Sequence, residues 1–190
     1  STSALSAGGN VAPNNVTAIT EQWNGTNWTE VNDLNTARQG VAGSGSVTSA
    51  LVFGGSLPGY TAATEEWTGA GAAVGAWSTG GSLNTARQGM GGAGTQTTGL
   101  AFGGIIPPTT AVTESYDGTS WTEVNDMNTA RHYIGGAGTQ TSALAFGGSG
   151  NLAQTESYNG TNWTEVNDLN TGRDQLGSAG ADNTSALAFG

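Results

Sequence analysis

The feature that most constrains this chain is a segment that occurs four times along it. The last copy is TESYNGTNWTEVNDLNTGR, from Thr155 to Arg173. Successive copies place a tryptophan at steps of 49, 44 and 42 residues, and an arginine always follows ten residues later. These pairs are Trp28 and Arg38, Trp77 and Arg87, Trp121 and Arg131, and Trp163 and Arg173. Repeats of this length predict units that bury their apolar faces only against one another.

Two further landmarks fix the boundaries of the repeats. Each repeat has a glutamate two residues before an aromatic residue, and a short apolar stretch that ends in glycine, such as LVFGG or LAFGG. The glutamates are Glu21, Glu65, Glu114 and Glu156, and their aromatic partners are Trp23, Trp67, Tyr116 and Tyr158. We therefore predict a single domain over residues 1–190, with repeats at about 1–38, 39–87, 88–131 and 132–173 and a partial repeat at 174–190.

The repeat that starts after Arg131 predicts four short strands. HYIGGAG (132–138) indicates a first strand, and TSALAFGG (141–148) indicates a second strand with Leu and Phe on one face and Ala on the other. Because neither face is polar, this strand must be covered on both sides. TESY and WTEV give the third and fourth strands, and the Asn-Gly between them is typical of a tight hairpin. Repeated units of this kind predict an all-β propeller of four-stranded antiparallel blades.

The predicted strands do not fit four closed blades. The chain opens on a second strand (2–9) and closes on a first and a second strand (174–180 and 184–190), so two second strands compete for one place. Blade number and ring closure therefore stay open. The surplus strand, and a first residue that is Ser1 rather than methionine, predict a segment of a longer or processed protein, or a chain that joins other copies of itself.

These residues resemble the kelch repeat, in which a glycine pair ends an apolar strand, an aromatic residue closes the next strand, and a tryptophan and an arginine follow. The matching positions include Gly54, Gly55, Tyr116, Trp121 and Arg131. The departures are Trp23 and Trp67 in place of tyrosine, Ala7 in place of a core phenylalanine, and a five-residue insertion between Trp67 and Trp77. The resemblance implies a kelch-type β-propeller, a fold that hosts unrelated functions.

The Asn-, Thr- and Gly-rich style of the repeats is also similar to that of kelch arrays in structural proteins of marine bacteriophages. This second resemblance implies a virion structural protein, such as a tail fibre, with an extracellular or virion location.

Charge and composition exclude several classes of partner. The formal net charge is −10, and all four basic residues are the motif arginines, since lysine is absent. Nucleic acid is therefore a poor partner, because phosphate binding needs clustered Lys and Arg. The sequence contains no run of about 18 apolar residues, which is the length that insertion into a membrane would require. The absence of cysteine removes disulfides and thiolate chemistry.

The repeated charged residues favour a structural role. A planar guanidinium suits buried contacts with several acceptors, so we predict that each motif arginine pairs with a strand-three glutamate or with backbone carbonyls. A ring of arginines that binds an anion is the alternative. TEVNDLN places a glutamate near an aspartate in three repeats, as Glu30 with Asp33, Glu123 with Asp126, and Glu165 with Asp168. We expect no metal or other cofactor, with calcium held by these oxygens as the alternative.

We predict no catalytic residues and no enzyme activity. His132 is the only histidine and has no triad or metal companion near it in the sequence, so we expect a satisfied polar side chain. SYDGTSW (115–121) is one residue shorter than the Asp-box of sialidase propellers. The alternative function, a sialidase-like or glycosidase-like carbohydrate-active enzyme, requires several free arginines or two carboxylates at a defined separation.

The loop between the second and third strands is where the repeats differ most. From glycine to glutamate it spans 13, 11, 11 and 9 residues, whereas the motifs on either side keep their spacing. Loops on a rigid scaffold are where binding sites are usually built, although drift of surface loops is the alternative. The candidate ligand-binding residues are Asn14, Asn15, Leu57, Tyr60, Ile105, Ile106, Asn151 and Leu152. We therefore expect a non-enzymatic structural or adhesive module that binds a host-surface glycan or protein.

Overall fold

The described part of the chain is all-β, as the repeats predict. The computed structural model describes residues 3–11, 15–69 and 75–190, and no helix occurs within these ranges. The strands are β1 (Ala4–Val11), β2 (Asn15–Trp23), β3 (Trp28–Glu30), β4 (Ala42–Ser46), β5 (Ser49–Phe53), β6 (Ser56–Leu57), β7 (Gly59–Tyr60), β8 (Thr64–Thr68), β9 (Ala76–Thr79), β10 (Gly91–Gly94), β11 (Gly99–Phe102), β12 (Thr113–Tyr116), β13 (Trp121–Val124), β14 (Gly135–Thr139), β15 (Ser142–Phe146), β16 (Thr155–Tyr158), β17 (Trp163–Val166), β18 (Gly177–Asp182) and β19 (Ser185–Phe189).

These strands form sheets that are arranged like the blades of a propeller. Blade 2 (β4-β5-β8-β9), blade 3 (β10 to β13) and blade 4 (β14 to β17) are complete four-stranded antiparallel sheets. Blade 1 contains only β1, β2 and β3, blade 5 contains only β18 and β19, and β6 pairs with β7 within a loop of blade 2. The first strands of successive blades contact each other, β4 with β10, β10 with β14, and β14 with β18. The predicted fold class is therefore confirmed at the level of blades.

The structure corrects the predicted elements at two places. The first strand of blade 4 begins at Gly135 rather than at His132, and that of blade 5 begins at Gly177 rather than at Asp174. In the first repeat, much of the predicted loop at 10–18 instead extends the hairpin of β1 and β2, with Val11 opposite Asn15. Residues 12–14 of that loop, and most of the predicted insertion before Trp77, lie outside the described residues.

The second strands of blades 2 and 3 bury their apolar residues on both faces, as the apolar pattern predicts, and in blade 4 only Leu144 among these residues is half-buried. In blade 3, Leu100, Ala101 and Phe102 are fully buried. The phenylalanine of one blade also contacts the tryptophan of the next blade, with ring centroids 4.9 Å apart for Phe53 and Trp121. Aromatic pairs at such distances add to the hydrophobic stabilisation of the core.

The fourth-strand tryptophan of each complete blade donates a hydrogen bond to the preceding blade. The indole Nε1 of Trp77 donates to Thr20 Oγ1 at 3.0 Å, and Trp121 donates to Thr64 at 3.1 Å. Trp163 donates to Thr113 at 3.1 Å. Because a buried N–H needs a partner, the repeated threonine is required wherever a tryptophan from the next blade is buried.

The motif arginines pair with strand-three glutamates of their own blade, which confirms the predicted structural role in three repeats. Arg38 lies 3.1 Å from Glu65, Arg131 lies 3.0 Å from Glu156, and Arg87 pairs with Glu114. All six side chains are buried. Arg131 also donates to the carbonyl oxygens of Gly147 and Gln154. Burial lowers the pKa of Arg38 and Arg131, and the paired carboxylate opposes this shift.

Tyr116 joins blades 2 and 3 by a different contact. Its hydroxyl donates a 2.6 Å hydrogen bond to a carboxylate oxygen of Glu66. Burial of the phenol, together with this hydrogen bond, raises the pKa of Tyr116 to about 12.

The described residues contain no helix with the length and hydropathy that crossing a bilayer would need.

Arg131→Ala is expected to lower the free energy of unfolding by about 3 kcal/mol, because Glu156 would stay buried without a cation. The matched control is Arg173→Ala, since Arg173 holds the same place in its repeat but is only half-buried. That change should cost about 1 kcal/mol or less. Urea unfolding followed by tryptophan fluorescence measures both, and equal losses would contradict a stabilising ion pair.

The raised pKa of Tyr116 predicts a loss of stability at alkaline pH. The proton is held more tightly in the folded state, with a pKa of about 12 against 10.0 for the free side chain. The stabilisation is therefore fully present below pH 10 and is lost as pH rises toward 12. Between those limits the parent should lose about 2 kcal/mol more than Tyr116→Phe, which cannot ionise. Parallel slopes of unfolding free energy against pH for the two proteins would contradict this.

Candidate functional site

A polar cavity lies where the five blades meet. Its volume is ≈ 600 Å³, and residues from every blade line it. The polar side chains in the lining are Asn10, Gln39, Gln88, Tyr133, Gln175 and Ser178. Apolar side chains and glycines make up the rest, and none of the described lining residues is charged. The volume is within the range of pockets that take small organic ligands.

A ladder of backbone hydrogen bonds crosses from blade to blade at this cavity. The ladder uses the residue two positions after each motif arginine, which is Gly40, Gly89, Tyr133 or Gln175. The N–H of Gly89 donates to the Gly40 carbonyl at 2.9 Å, and that of Tyr133 donates to Gly89 at 2.6 Å. The N–H of Gln175 donates to Tyr133 at 3.0 Å. The ladder therefore sets the spacing of the cavity-lining residues.

Two positions of this ladder carry side chains where the backbone favours glycine. The φ angles are +64° at Gly40 and Gly89, and +54° at Tyr133 and Gln175. A left-handed conformation costs roughly 1–2 kcal/mol for a residue with a side chain. Strained residues of this kind cluster at functional sites, because the strain persists only where the surrounding structure imposes it. Tyr133 and Gln175 therefore mark the cavity as the candidate site.

The surroundings of Tyr133 hold its ring in place. A Cβ added at Gly89 would lie 2.8 Å from the Tyr133 ring, so the glycine is needed for this close approach. The centroid of the His132 ring lies 4.8 Å from that of the Tyr133 ring. The Nδ1 atom of His132 is 3.1 Å from the Thr109 hydroxyl, which gives this histidine the polar partner predicted for it. The phenol ring therefore packs closely against Gly89 and lies next to the His132 ring.

The variable loops begin beside the cavity. Gln39, which lines the cavity, forms a backbone bridge with Ser56, the first residue of the blade 2 loop. Gln88 forms the same bridge with Ile105, and the N–H of Ser149 donates to the His132 carbonyl at 2.8 Å. We term the cavity and the loops at 56–63, 105–112 and 149–154 the loop face. The three loops are therefore anchored at equivalent places beside the cavity.

The predicted ligand-binding residues differ in how much of each side chain the structure leaves exposed. Leu57 and Tyr60 are exposed on the hairpin of β6 and β7. Asn15 and Asn151 are exposed, whereas Ile105, Ile106 and Leu152 are half-buried. Asn14 lies outside the described residues. The exposed side chains are the ones available to a ligand, and binding by any of them stays a prediction.

Sequence reasoning missed the residues of the cavity itself. Gln39, Gln88, Tyr133 and Gln175 lie one or two residues after the motif arginines, where the sequence pattern predicts only the start of a first strand. The signal was present in the chain's own repeats, because RQG occurs twice and RHY and RDQ take its place later. A tyrosine and a glutamine at the position of two glycines could have indicated a special site.

The aspartates of TEVNDLN have structural partners. Asp33, Asp126 and Asp168 each accept a hydrogen bond from the backbone N–H of a strand-three threonine, at 3.0, 3.0 and 3.2 Å. Their partner glutamates, Glu30, Glu123 and Glu165, are exposed. No group of three or more His, Cys, Asp or Glu that could hold a metal ion occurs among the described residues. These contacts explain the recurring aspartate without a cation.

The segment that is similar to an Asp-box forms a turn. Asp117 accepts hydrogen bonds from the N–H groups of Thr119 and Ser120, and these bonds lower the pKa of its carboxyl. Asn24 and Asn159 make the same turn in other repeats. Because asparagine forms the same turn in two other repeats, formation of the turn is enough to explain the presence of Asp117.

Comparison with known proteins assigns no family to the chain. No protein-family model matches it, and no curated protein matches it. The function of the chain is therefore inferred from the chemistry of the loop face and from the repeat pattern.

Gln175→Gly is expected to stabilise the protein by roughly 0.5 to 1 kcal/mol, because relief of the left-handed strain exceeds the entropic cost of glycine. The opposite change, Gly40→Ala, should destabilise, since φ is +64° and the new Cβ would lie 3.1 Å from the Gln88 side chain. Thermal unfolding of both variants beside the parent tests this. Destabilisation by Gln175→Gly would show that the left-handed backbone at residue 175 carries no strain.

Proposed function

We propose that this protein is a non-enzymatic adhesive module, a kelch-type β-propeller that binds carbohydrate through its loop face. The observation that carries the proposal is the ≈ 600 Å³ cavity, whose polar lining consists of amides, hydroxyls and no charged group among the described residues. Carboxamides donate and accept hydrogen bonds at once, which matches the hydroxyl groups of a neutral sugar.

The loops around the cavity supply the second element of recognition. Tyr60 and Leu57 are exposed at the tip of the blade 2 loop, and Tyr133 lies in the cavity itself. An aromatic ring offers an apolar face to the C–H groups of a sugar and a hydroxyl to its polar edge. The loops also differ in length and chemistry while their anchors are the same. This combination suits recognition that varies between related chains.

The chemistry of the loop face supports binding rather than catalysis. A glycosidase needs two carboxyl groups at a set separation, and a sialidase needs arginines free to hold a carboxylate. Three of the four arginines are buried in ion pairs, and the described cavity lining contains no carboxylate. A carbohydrate-active enzyme is therefore the less favoured candidate.

The proposed setting is extracellular, on a virion or a cell surface, as part of a fibre or another surface structure. Its support is the similarity of the Asn-, Thr- and Gly-rich repeats to kelch arrays in structural proteins of marine bacteriophages. The partner on the host surface would then be a glycan, and the alternative partner is a surface protein. Glycan binding and loop exchange distinguish these two partners.

A glycan array probed with the purified protein tests the function directly. The parent should bind a defined set of glycans, and Tyr60→Ala should weaken that binding by roughly 1 to 2 kcal/mol, as loss of an aromatic anchor does at interfaces. Val166→Ala, at an exposed apolar residue on β17 rather than on the loop face, is the control. Binding that Tyr60→Ala and Val166→Ala reduce equally would contradict a role for the loop face.

Exchange of one loop for another provides a sharper test. Residues 56–63 and 105–112 have equal length, begin with the same bridge, and have an alanine carbonyl, Ala62 or Ala111, that accepts an N–H from the next connection. Replacing the first loop by the second should leave the unfolding midpoint nearly unchanged and alter which glycans bind. An unchanged glycan profile would show that the loops do not choose the ligand. Binding to host surface proteins without glycan binding would identify a protein receptor.

A further inference from the structure

The turn between the third and fourth strands of blade 4 is built around an asparagine that a glycine follows. Asn159 is exposed, and its side-chain oxygen Oδ1 accepts hydrogen bonds from the backbone N–H groups of Thr161 at 2.9 Å and Asn162 at 2.8 Å. Gly160 has a φ of +91°, a left-handed conformation that glycine adopts without steric strain. The side-chain amide of Asn159 is therefore held over the turn by two backbone donors.

The backbone nitrogen of Gly160 is a nucleophile that can reach this side chain. It directly follows the Asn159 carbonyl in the chain, so its attack on the side-chain carbon Cγ closes a five-membered ring. Its N–H group has no hydrogen-bond partner among the described residues. Glycine also has no Cβ that would obstruct the approach. The nitrogen that must react is therefore not engaged by any other described group.

The two hydrogen bonds to Oδ1 favour such an attack. Addition of a nitrogen to Cγ moves negative charge onto Oδ1, because the carbonyl double bond becomes a single bond. Backbone N–H groups that already point at an oxygen stabilise the charge that develops on it. The N–H groups of Thr161 and Asn162 are in that position before any reaction begins. The turn therefore activates the side chain that it contains.

We propose that Asn159 is a site of spontaneous deamidation, for which the turn provides both the attacking nitrogen and the donors that stabilise the intermediate. The Gly160 nitrogen loses its proton to solvent base and bonds to Cγ, the bond from Cγ to the side-chain nitrogen breaks, and ammonia leaves. Water then opens the cyclic imide. Cleavage of the new bond at Cγ leaves an aspartate, whereas cleavage at the original peptide carbon leaves an isoaspartate, whose main chain runs through Cγ.

Blade 3 shows that the aspartate product fits this turn. Asp117 holds the same place there, and its Oδ1 accepts the backbone N–H groups of Thr119 at 2.9 Å and Ser120 at 2.8 Å. These are the same two bonds that Asn159 makes. An aspartate at position 159 therefore keeps the turn and adds one negative charge to a formal net charge of −10.

The isoaspartate product disturbs a contact between blades 3 and 4. Asn125, directly after β13, donates through Nδ2 to the Thr161 carbonyl and to Asn162 Oδ1, each at 2.9 Å. An isoaspartate lengthens the main chain of the turn by one methylene, which moves both acceptors relative to Asn125. The turn lies at the opposite end of β16 from the loop at 149–154, so this modification is separate from the loop face and from glycan binding.

Peptide mapping by mass spectrometry, after timed incubation of the folded protein in neutral buffer, measures conversion at each asparagine. Asn159 should convert at least about tenfold faster than Asn162, which is exposed in the same turn but lacks the two backbone donors on its side-chain oxygen. Asn162 also precedes Trp163 rather than a glycine. The rate at Asn159 should rise with pH, because the Gly160 nitrogen must first lose its proton.

Two variants test the geometry of the turn directly. Asp117→Asn places an asparagine before Gly118 in the equivalent turn of blade 3, so it should create a second site that converts at a rate similar to that of Asn159. Asn159→Asp reproduces one product and should leave the thermal unfolding midpoint nearly unchanged. The isoaspartate fraction of the aged parent should unfold at a lower temperature than this variant.

The chain unfolded in urea separates the effect of the turn from that of the sequence. It retains the Asn-Gly dipeptide but not the two donors on Oδ1, so the folded protein should convert Asn159 at least as fast as the unfolded chain at the same pH. Slower conversion in the folded protein would show that the turn protects Asn159, and this would overturn the proposal. Conversion of Asn162 as fast as Asn159, or no conversion at position 117 in Asp117→Asn, would overturn it as well.

Discussion

A buried arginine that requires a carboxylate organises each complete blade. Arg131 enters the blade before its first strand, and Glu156 arrives on the third, so the pair ties the inner part of the sheet to its outer part. Neither charge could remain there alone, because burial of an unpaired ion costs several kcal/mol. The asparagine three residues before each arginine then binds the same glutamate and the tryptophan carbonyl. One ion pair thereby fixes the relative positions of strands one, three and four.

The blades are held to one another by contacts that do not involve this ion pair. Indole N–H groups reach threonines of the preceding blade, and the backbone ladder at the cavity runs through Gly40, Gly89, Tyr133 and Gln175. The ladder uses a left-handed backbone in blades 2 to 5, and glycine supplies it without steric strain at only two positions, Gly40 and Gly89. The two substituted positions bring a phenol and an amide into the cavity. The functional chemistry of the loop face and the strain of the scaffold therefore occur in the same residues.

The repeat pattern was enough to predict the blades, because the spacing of Trp28 and its counterparts reflects a packing unit that each blade must satisfy. The Arg and Glu pairing could be predicted because both residues recur at fixed positions and a planar guanidinium suits buried contacts with several acceptors. The predicted start of β14 was wrong, since the HYIGG run taken alone reads as a strand, and only comparison with Gly40 and Gly89 indicates a left-handed backbone at Tyr133. The cavity could not be predicted either, because its lining comes from segments about 45 residues apart that meet only after the blades pack.

The direction of the indole and ladder hydrogen bonds determines the order in which the two partners of each bond are synthesised. Trp77, Trp121 and Trp163 donate to threonines that precede them by 57, 57 and 50 residues, so every acceptor leaves the ribosome before its donor. Each arginine, in contrast, must wait 25 to 27 residues for its glutamate. During synthesis, the acceptors of one blade are thus present before the donors of the next blade, while each arginine that will be buried in an ion pair precedes its glutamate. Nascent chains of this protein would gain their native structure in steps of one blade.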